Sequence, residues 1–236
     1  MTIRLRYVFI LIVGICLTSR SAAQQTDPRF LAFKTKASDI RFYWKNDSGE
    51  ILGSLQNLKS FVESKDQKLR FAMNGGMYNK DSSPQGLFIE NGIQRASLDS
   101  LAGSGNFYLK PNGVFYIGAD GKAMISKTEN FMLSSRPEFA TQSGPMLIID
   151  GEMHPAFIKG SKNLNIRNGV GIMPDNSVVF VMSKEVVNFY DFAQYFKNLG
   201  CRNAVYLDGF VSRTFLPEQG WIQLDGSFGV MIGVVE

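Results

Sequence analysis

The chain has 236 residues, with 25 lysines and arginines against 21 acids, two cysteines and one histidine. A single histidine excludes multi-histidine zinc sites, and the cysteines are too few to replace the missing ligands. The formal charge of +4 is gathered into no block of like charges, so the chain carries no electrostatic footprint for nucleic acid.

The N-terminus reads as an address. Arg4 and Arg6 precede an apolar run from Tyr7 to Leu17, too short to span a bilayer as a mature helix. Ser21-Ala22-Ala23 then supplies the small-residue pattern of a signal-peptide cleavage site. Residues 1–23 are therefore expected to be a signal peptide and 24–236 one domain, periplasmic or secreted, with no membrane span in the mature chain. Cys16 sits where a lipoprotein cysteine would, but Ile15 before it is too bulky for a lipidation signal. Cleavage removes Arg4, Arg6 and Arg20 and no acid, leaving 22 basic residues against 21 acidic. Cys201 is then the only cysteine, so no intramolecular disulfide can form.

Phe30 to Trp44 alternates like strands broken near Ser38. Leu55, Leu58, Phe61 and Val62 mark one face of a helix over 54–64, with Ser54 as its N-cap. A strand is expected from Leu69 to Met73, stopping at Asn74-Gly75-Gly76. Two glycines free the backbone for φ > 0 and for close approach to a ligand, and successive N–H groups in such a turn can cradle an anion. Asn74 adds an amide at the lip. The alternative is a long hairpin in which Gly-Gly only turns the chain.

Asn91-Gly92 joins Leu87–Glu90 to Ile93–Ala96 as a two-residue hairpin. Further strands are expected at Phe107–Leu109, Val114–Ile117, Ala123–Ser126 and Met146–Ile149, while 131–139 is ambiguous because Pro137 limits any helix. Ile166–Met173 and Val178–Met182 form another hairpin around Pro174-Asp175-Asn176. The clearest helix spans Asn188 to Leu199, capped by Asn188 with Asp191 and stopped by Gly200. Strands follow at Ala204–Leu207, Trp221–Leu224 and Phe228–Val235. The pattern predicts a single α+β domain with a mixed, mostly antiparallel sheet core and a few flanking helices.

Asp208 ends an apolar strand, a rigid position from which an acid projects toward the loops; the plainer reading is that Asp208-Gly209 only turns the chain. Arg167 stands in an apolar strand and offers a fork for a phosphate or carboxylate, or else lies on a solvated strand face. Arg213 is a weaker anion candidate. Gly144, in Ser143-Gly144-Pro145, lets the backbone approach a ligand, whereas Asp150-Gly151 reads as a hairpin turn. His154 is a second-rank candidate, more often a structural residue in such a context.

Taken in order, these stretches resemble the phosphodiester glycosidase family. Asn74-Gly75-Gly76 matches its Asn-Gly-Gly, Ser143-Gly144 its Ser-Gly before an apolar strand, and Arg167 with Gly171 its Arg-x-x-x-Gly. The helix from Asn188 and the run Ala204 to Gly209 match a helix leading to Leu-Asp-Gly. The resemblance covers roughly Leu69 to Thr214. It departs after Gly209, where Phe210 and Val211 replace further glycines, implying a narrower or more apolar pocket.

Membership implies hydrolysis of a sugar-1-phosphodiester, releasing the sugar and leaving a phosphomonoester. Arg167 and the Asn74-Gly75-Gly76 amides would hold the phosphodiester, and Asp208 would act as nucleophile or as base for water. Glu90, Asp81 or Asp150 would supply a second carboxylate. No cofactor is required, and Mg²⁺ or Ca²⁺ on oxygen ligands stays open. Two other readings use the same residues: a module that binds phosphorylated or acidic glycans without turnover, and a metal-dependent phosphodiesterase that cuts P–O bonds.

Overall fold

A computed structural model describes residues 27–209 and 211–236. The expected signal peptide and Cys16 lie outside the described residues, as does Phe210. The first strands are β1 (Phe30–Thr35), β2 (Ile40–Tyr43), β3 (Leu69–Asn74), β4 (Phe88–Glu90), β5 (Ile93–Ala96), β6 (Gly113–Gly118), β7 (Ala123–Lys127) and β8 (Pro137–Ser143). The remainder are β9 (Met146–Ile149), β10 (Glu152–Met153), β11 (Asn168–Ile172), β12 (Val178–Ser183), β13 (Asn203–Tyr206), β14 (Thr214–Leu216), β15 (Trp221–Ile222) and β16 (Met231–Val235). Two α-helices accompany them, α1 (Leu55–Glu63) and α2 (Phe189–Asn198).

The strands form three sheets, ordered β1-β12-β11-β13-β9-β10, β15-β14-β3-β16-β2 and β5-β4-β8-β6-β7. All three turn one face toward a shared core that includes Phe42, Phe71, Phe115, Phe180 and Val205. Side-chain alternation decides what the other faces bury. In β12, Val178, Phe180 and Met182 enter the shared core, while Val179 and Val181 pack under α2 with Phe192 and Phe196. In β3, Phe71 and Met73 face the core and Ala72 faces α1, and a register irregularity against β16 between Leu69 and Phe71 turns Leu69 to the α1 side as well. Strands buried on both faces read as unbroken apolar runs. The fold is α+β with antiparallel pairing throughout the described strands.

Local signals translate directly. Ser54 Oγ accepts the Asn57 N–H at 3.1 Å and starts α1. Asn188 Oδ1 accepts the Asp191 N–H at 2.8 Å and starts α2, which Gly200 ends at φ 77°. Asn91 and Gly92, both at positive φ, turn β4 into β5. Two expectations are corrected. In place of a strand at 107–109 there is a tight 3₁₀ turn, Asn106–Tyr108, that buries Phe107, with Leu109 leaving it in extended conformation. The ambiguous 131–139 stretch divides into a short turn and the first residues of β8, where Pro137 starts the strand beside a bulge.

Candidate active site

The chain changes sheets between β13 and β14, and Asn74, Asp208 and the strand that follows Arg167 meet at that crossing. Within the first sheet, β11 and β13 run antiparallel with Gly169 opposite Tyr206, so the start of β11 lies beside the end of β13. The chain then passes through 207–213 into β14, where Thr214 faces Met73 of β3 in the second sheet. The third sheet joins through Ser143 at the end of β8, whose hydroxyl donates to Leu207 O at 2.5 Å.

Two buried asparagines fasten the crossing. Asn74 Nδ2 donates to Asp208 O at 2.7 Å, and Asn74 Oδ1 accepts the Arg213 N–H at 3.0 Å. Asn168 Nδ2 donates to Asn74 O at 2.9 Å, and its Oδ1 accepts the Asp208 N–H at 2.9 Å. Three segments remote in sequence are thus held in one geometry through groups that would be costly to leave unpaired. Ser212 Oγ adds a bond to Asp208 O at 3.1 Å. The backbone of Asp208 is consequently fixed from both sides.

Arg167 precedes Asn168 and is wholly buried. Its Nε donates to Val187 O at 2.9 Å and its Nη2 to Asn163 O at 2.9 Å. The guanidinium carbon lies 3.6 Å from the centroid of the Phe189 ring. Phe189 stacks on Phe157 at 5.0 Å, and Phe157 on His154 at 4.8 Å. Among the described residues no carboxylate pairs with Arg167, and its Nη1 is buried without a hydrogen-bond partner. Burial pulls the guanidinium pKa below its usual value, and Tyr206 beside it opposes that shift by its charge and by a side-chain hydrogen-bonding contact. A desolvated cation lacking a counter-charge is expensive to keep.

Asp208 meets this cation through Tyr206, whose hydroxyl feels the charges of both Arg167 and Asp208. Part of Asp208 reaches solvent, yet crowding around the carboxyl lifts its pKa from 3.8 to about 7. Its charge is felt on two tyrosines. Tyr206, whose hydroxyl accepts the Gly209 N–H at 2.7 Å, is pushed up to about 12, chiefly by burial and in part by Asp208. Tyr78, in the loop after Gly76, is raised by burial and by the same carboxylate, and its hydroxyl donates to Ser227 O at 2.5 Å. Asp208 therefore lies between the 77–86 loop and the Tyr206 side of the Arg167 pocket.

The Asn-Gly-Gly turn works differently from expectation. Neither Gly75 nor Gly76 adopts positive φ. The Gly75 N–H donates to Val230 O at 2.8 Å, so this amide is engaged within the fold. A Cβ on Gly76 would collide with the Thr141 hydroxyl and come within 2.8 Å of Gln142 O. The glycines are there for close packing against β16 and β8. Gly144 is likewise buried, with Phe107 O 2.7 Å from where a Cβ would stand.

Other candidates lie elsewhere or are engaged. Arg213 Nε bonds both oxygens of Asp225, at 2.8 and 2.9 Å. Glu90, at the far end of β4, is half-buried, stands 3.7 Å from Arg95 Nε, and lines a separate cavity with Trp44 and Lys45. Ile89 faces Ala140, three residues up β8 from Ser143, so Glu90 is on the order of 10 Å or more from the crossing. Asp81 caps its own turn, accepting the Ser83 N–H and hydroxyl at 3.0 and 2.6 Å. Asp150 occupies the exposed β9–β10 turn at φ 49°. His154 is buried, with Nδ1 accepting the Ala156 N–H at 3.1 Å and Nε2 at 3.2 Å from Lys110 O. That pairing requires the proton on Nε2, and burial holds the ring below its usual pKa. No three His, Cys, Asp or Glu side chains converge as metal ligands among the described residues.

Asn168, Tyr206 and Phe189 escaped the sequence reading. Asn168 had a usable signal, a second polar residue directly after Arg167 in an apolar strand. Tyr206 and Phe189 read as core, and their role depends on which residue each one meets.

Comparison with known proteins gives the family and the fold. The family model for phosphodiester glycosidase matches residues 67–229. A protein of Escherichia coli strain K12, described only as the uncharacterized protein YigE, is 38% identical over 178 residues, covering 75% of this chain and 69% of its own. The catalytic domain of zebrafish N-acetylglucosamine-1-phosphodiester alpha-N-acetylglucosaminidase, auto-inhibited by its pro-peptide, superposes with a TM-score of 0.59 at 14% identity, covering 90% of this chain and 85% of that one. A hypothetical protein from Synechocystis superposes with a TM-score of 0.50 at 14% identity, covering 87% and 59%. At these identities the solved structures share the fold. No described helix is long and apolar enough to cross a membrane.

Proposed function

The chain belongs to the phosphodiester glycosidase family, and from that premise we propose that it hydrolyses the glycosidic C–O bond of a sugar-1-phosphodiester. The observation that carries this reading is the Arg167 guanidinium, wholly buried, unmatched by any described acid, with Nη1 lacking a partner. A phosphodiester anion supplies both the counter-charge and the missing acceptor. The Gly76 N–H is the second donor we assign to it, since the Gly75 amide is engaged by Val230 O.

The leaving group simplifies the chemistry. A departing phosphomonoester is a weak base and takes the C–O electron pair without first being protonated. What the reaction needs is a group to receive a proton from the attacking water. Asp208, lifted to about 7, is poised for that task at neutral pH. Water adds its oxygen to the anomeric carbon, its proton passes to the Asp208 carboxylate, and the phosphomonoester leaves with Arg167 paired to its charge. Asn74 and Asn168 hold the Asp208 backbone still while this happens. The name of the zebrafish enzyme specifies an N-acetylglucosamine-1-phosphodiester and a glycosidase cut, which supports cleavage on the sugar side. We place the reaction outside the cytoplasm, following the N-terminal export pattern.

Hydrolysis in ¹⁸O-labelled water tests the bond assignment. The label is expected in the released sugar and absent from the phosphomonoester. Label in the phosphate would overturn the proposal in favour of P–O cleavage, and tight binding of sugar-1-phosphodiesters with no turnover would leave a binding module instead.

A further inference from the structure

A cavity of about 670 Å³ lies away from the crossing, between β2, α1 and the β4–β5 hairpin. Its volume is that of a small-molecule site. Tyr43, Trp44 and Phe61 supply its aromatic walls, and Arg41, Lys45, Lys65 and Arg95 bring four cations against the two acids Asp47 and Glu90. Aromatic walls with polar groups between them suit the apolar faces and hydroxyls of sugar rings. The surplus of cations suits a sugar that carries negative charge.

The charged groups are arranged to exchange partners. Lys45 Nζ rests 4.2 Å from the Trp44 ring centroid and Lys65 Nζ 4.3 Å from that of Phe61. Both lysines are exposed on flexible stems. Lys65 is also held by Asp47 at 3.0 Å, so Lys45 is the one that swings from its ring with little resistance, opening the Trp44 face and leaving an ammonium group at the cavity edge. Glu90, with its side chain only 13% exposed, lacks a close hydrogen bond to Arg95, whose Nε stands 3.7 Å away. Its carboxylate takes the Trp44 main-chain N–H and has further lone pairs with which to accept from a sugar hydroxyl.

The cavity is also tied to the 77–86 loop. The Trp44 indole N–H donates to Ser82 O at 2.9 Å, within the loop whose Tyr78 senses the Asp208 charge. Tyr43, Phe61 and Tyr78 pack against one hydrophobic cluster. We propose that this cavity is an accessory subsite for a distal unit of a phosphorylated oligosaccharide, so that the substrate is a multi-unit anionic glycan. This rests on the hydrolase reading above, whose own failure is detected separately.

The probe is a non-hydrolysable trisaccharide joined by methylene-phosphonate linkages, compared with a neutral glycosidically linked trisaccharide, each titrated into the wild-type mature protein. Amide chemical shifts are followed at 41–46 and 90–95 and, independently, at 167–168 and 206–209. The anionic probe is expected to shift both groups, and the neutral one to bind more weakly by roughly tenfold. The double variant Lys45→Gln/Arg95→Gln should weaken the anionic probe by roughly tenfold, as loss of two exposed charge contacts implies. An unchanged melting temperature would show that the double variant keeps its fold. Shifts confined to the crossing, or equal affinity for both glycans with no effect of the double variant, would overturn the subsite while leaving the hydrolase reading intact. Shifts at the cavity in a protein that never turns over a sugar-1-phosphodiester would uphold the subsite's binding and remove the hydrolase instead.

Discussion

Two polar centres sit side by side at the sheet crossing and obey opposite rules. In the asparagine clamp, all four side-chain oxygens and nitrogens of Asn74 and Asn168 have partners within the fold. One residue away, Arg167 keeps a buried nitrogen with no acceptor, and Asp208 keeps a carboxyl that crowding drives to about 7. A satisfied buried network specifies geometry. An unsatisfied one retains binding energy and proton affinity for something outside the chain. We therefore assign the clamp to scaffold and the two charged residues, Arg167 and Asp208, to machinery, and substitutions at the two should separate stability from activity.

The largest effect is expected at Asp208. Asp208→Asn keeps the shape and removes the base, so kcat/KM on a sugar-1-phosphodiester should fall by about 10²- to 10⁴-fold. Wild-type kcat/KM should rise with pH through an inflection near 7, and the variant's residual rate should lose that inflection. Stability runs the other way. The folded carboxyl binds its proton more tightly than the unfolded chain between 3.8 and about 7, so wild-type stability falls as pH rises through that window. At pH 8 the variant should be the more stable, by on the order of 2 to 4 kcal/mol, and at pH 3 the two should melt alike. Equal activity in variant and wild type would remove Asp208 from the mechanism.

Arg167→Lys comes next. A lysine carries the charge but not the planar fork, so kcat/KM should drop by roughly 10- to 100-fold, mostly through KM. Asn168→Ala then probes the other centre. It strands the Asp208 N–H and the Asn74 carbonyl, which should cost about 2 to 4 kcal/mol. For a chain of this size that lowers Tm by roughly 5 to 15 °C. A calorimetric scan in which Arg167→Lys melts lower than Asn168→Ala would invert the division between scaffold and machinery.

How much of this was legible in the sequence follows from how local each signal is. The caps at Ser54 and Asn188 and the Asn91-Gly92 turn are settled within a few residues, and all three form as read. β14 is three residues long before Pro217 and exists because Thr214 and Phe215 pair with Met73 and Ala72 of β3, some 140 positions away. No local pattern announces such a strand. The site divides in the same way. Arg167 and Asp208 were visible as charges at apolar strands, where burial makes a charge conspicuous. The positive φ expected of the glycine turn is not adopted, because Gly75 and Gly76 are small for the sake of neighbours around β16 and β8, and those neighbours are known only once the sheets assemble. Asn168 is a single amide whose importance comes from two backbones it touches, 94 and 40 residues distant.

The smallest effect belongs to Arg213, which tests whether the site uses one guanidinium or two. Its Nε holds both oxygens of Asp225 on a largely exposed pair. Its main-chain N–H, which any residue but proline provides, is what Asn74 binds. Arg213→Gln therefore leaves the clamp in place and removes a surface ion pair, worth less than about 1 kcal/mol, together with one bond from Nη1 to Ser212 O. KM should change by less than roughly twofold, because this cation already has its counter-charge within the fold. Asp225→Asn frees the guanidinium without moving it, and should lower KM only if Arg213 can reach the bound phosphate. Equal KM in wild type and both variants leaves Arg167 as the single cation in charge of the anion. A rise in Arg213→Gln as large as that in Arg167→Lys would make the phosphate a guest shared by two arginines.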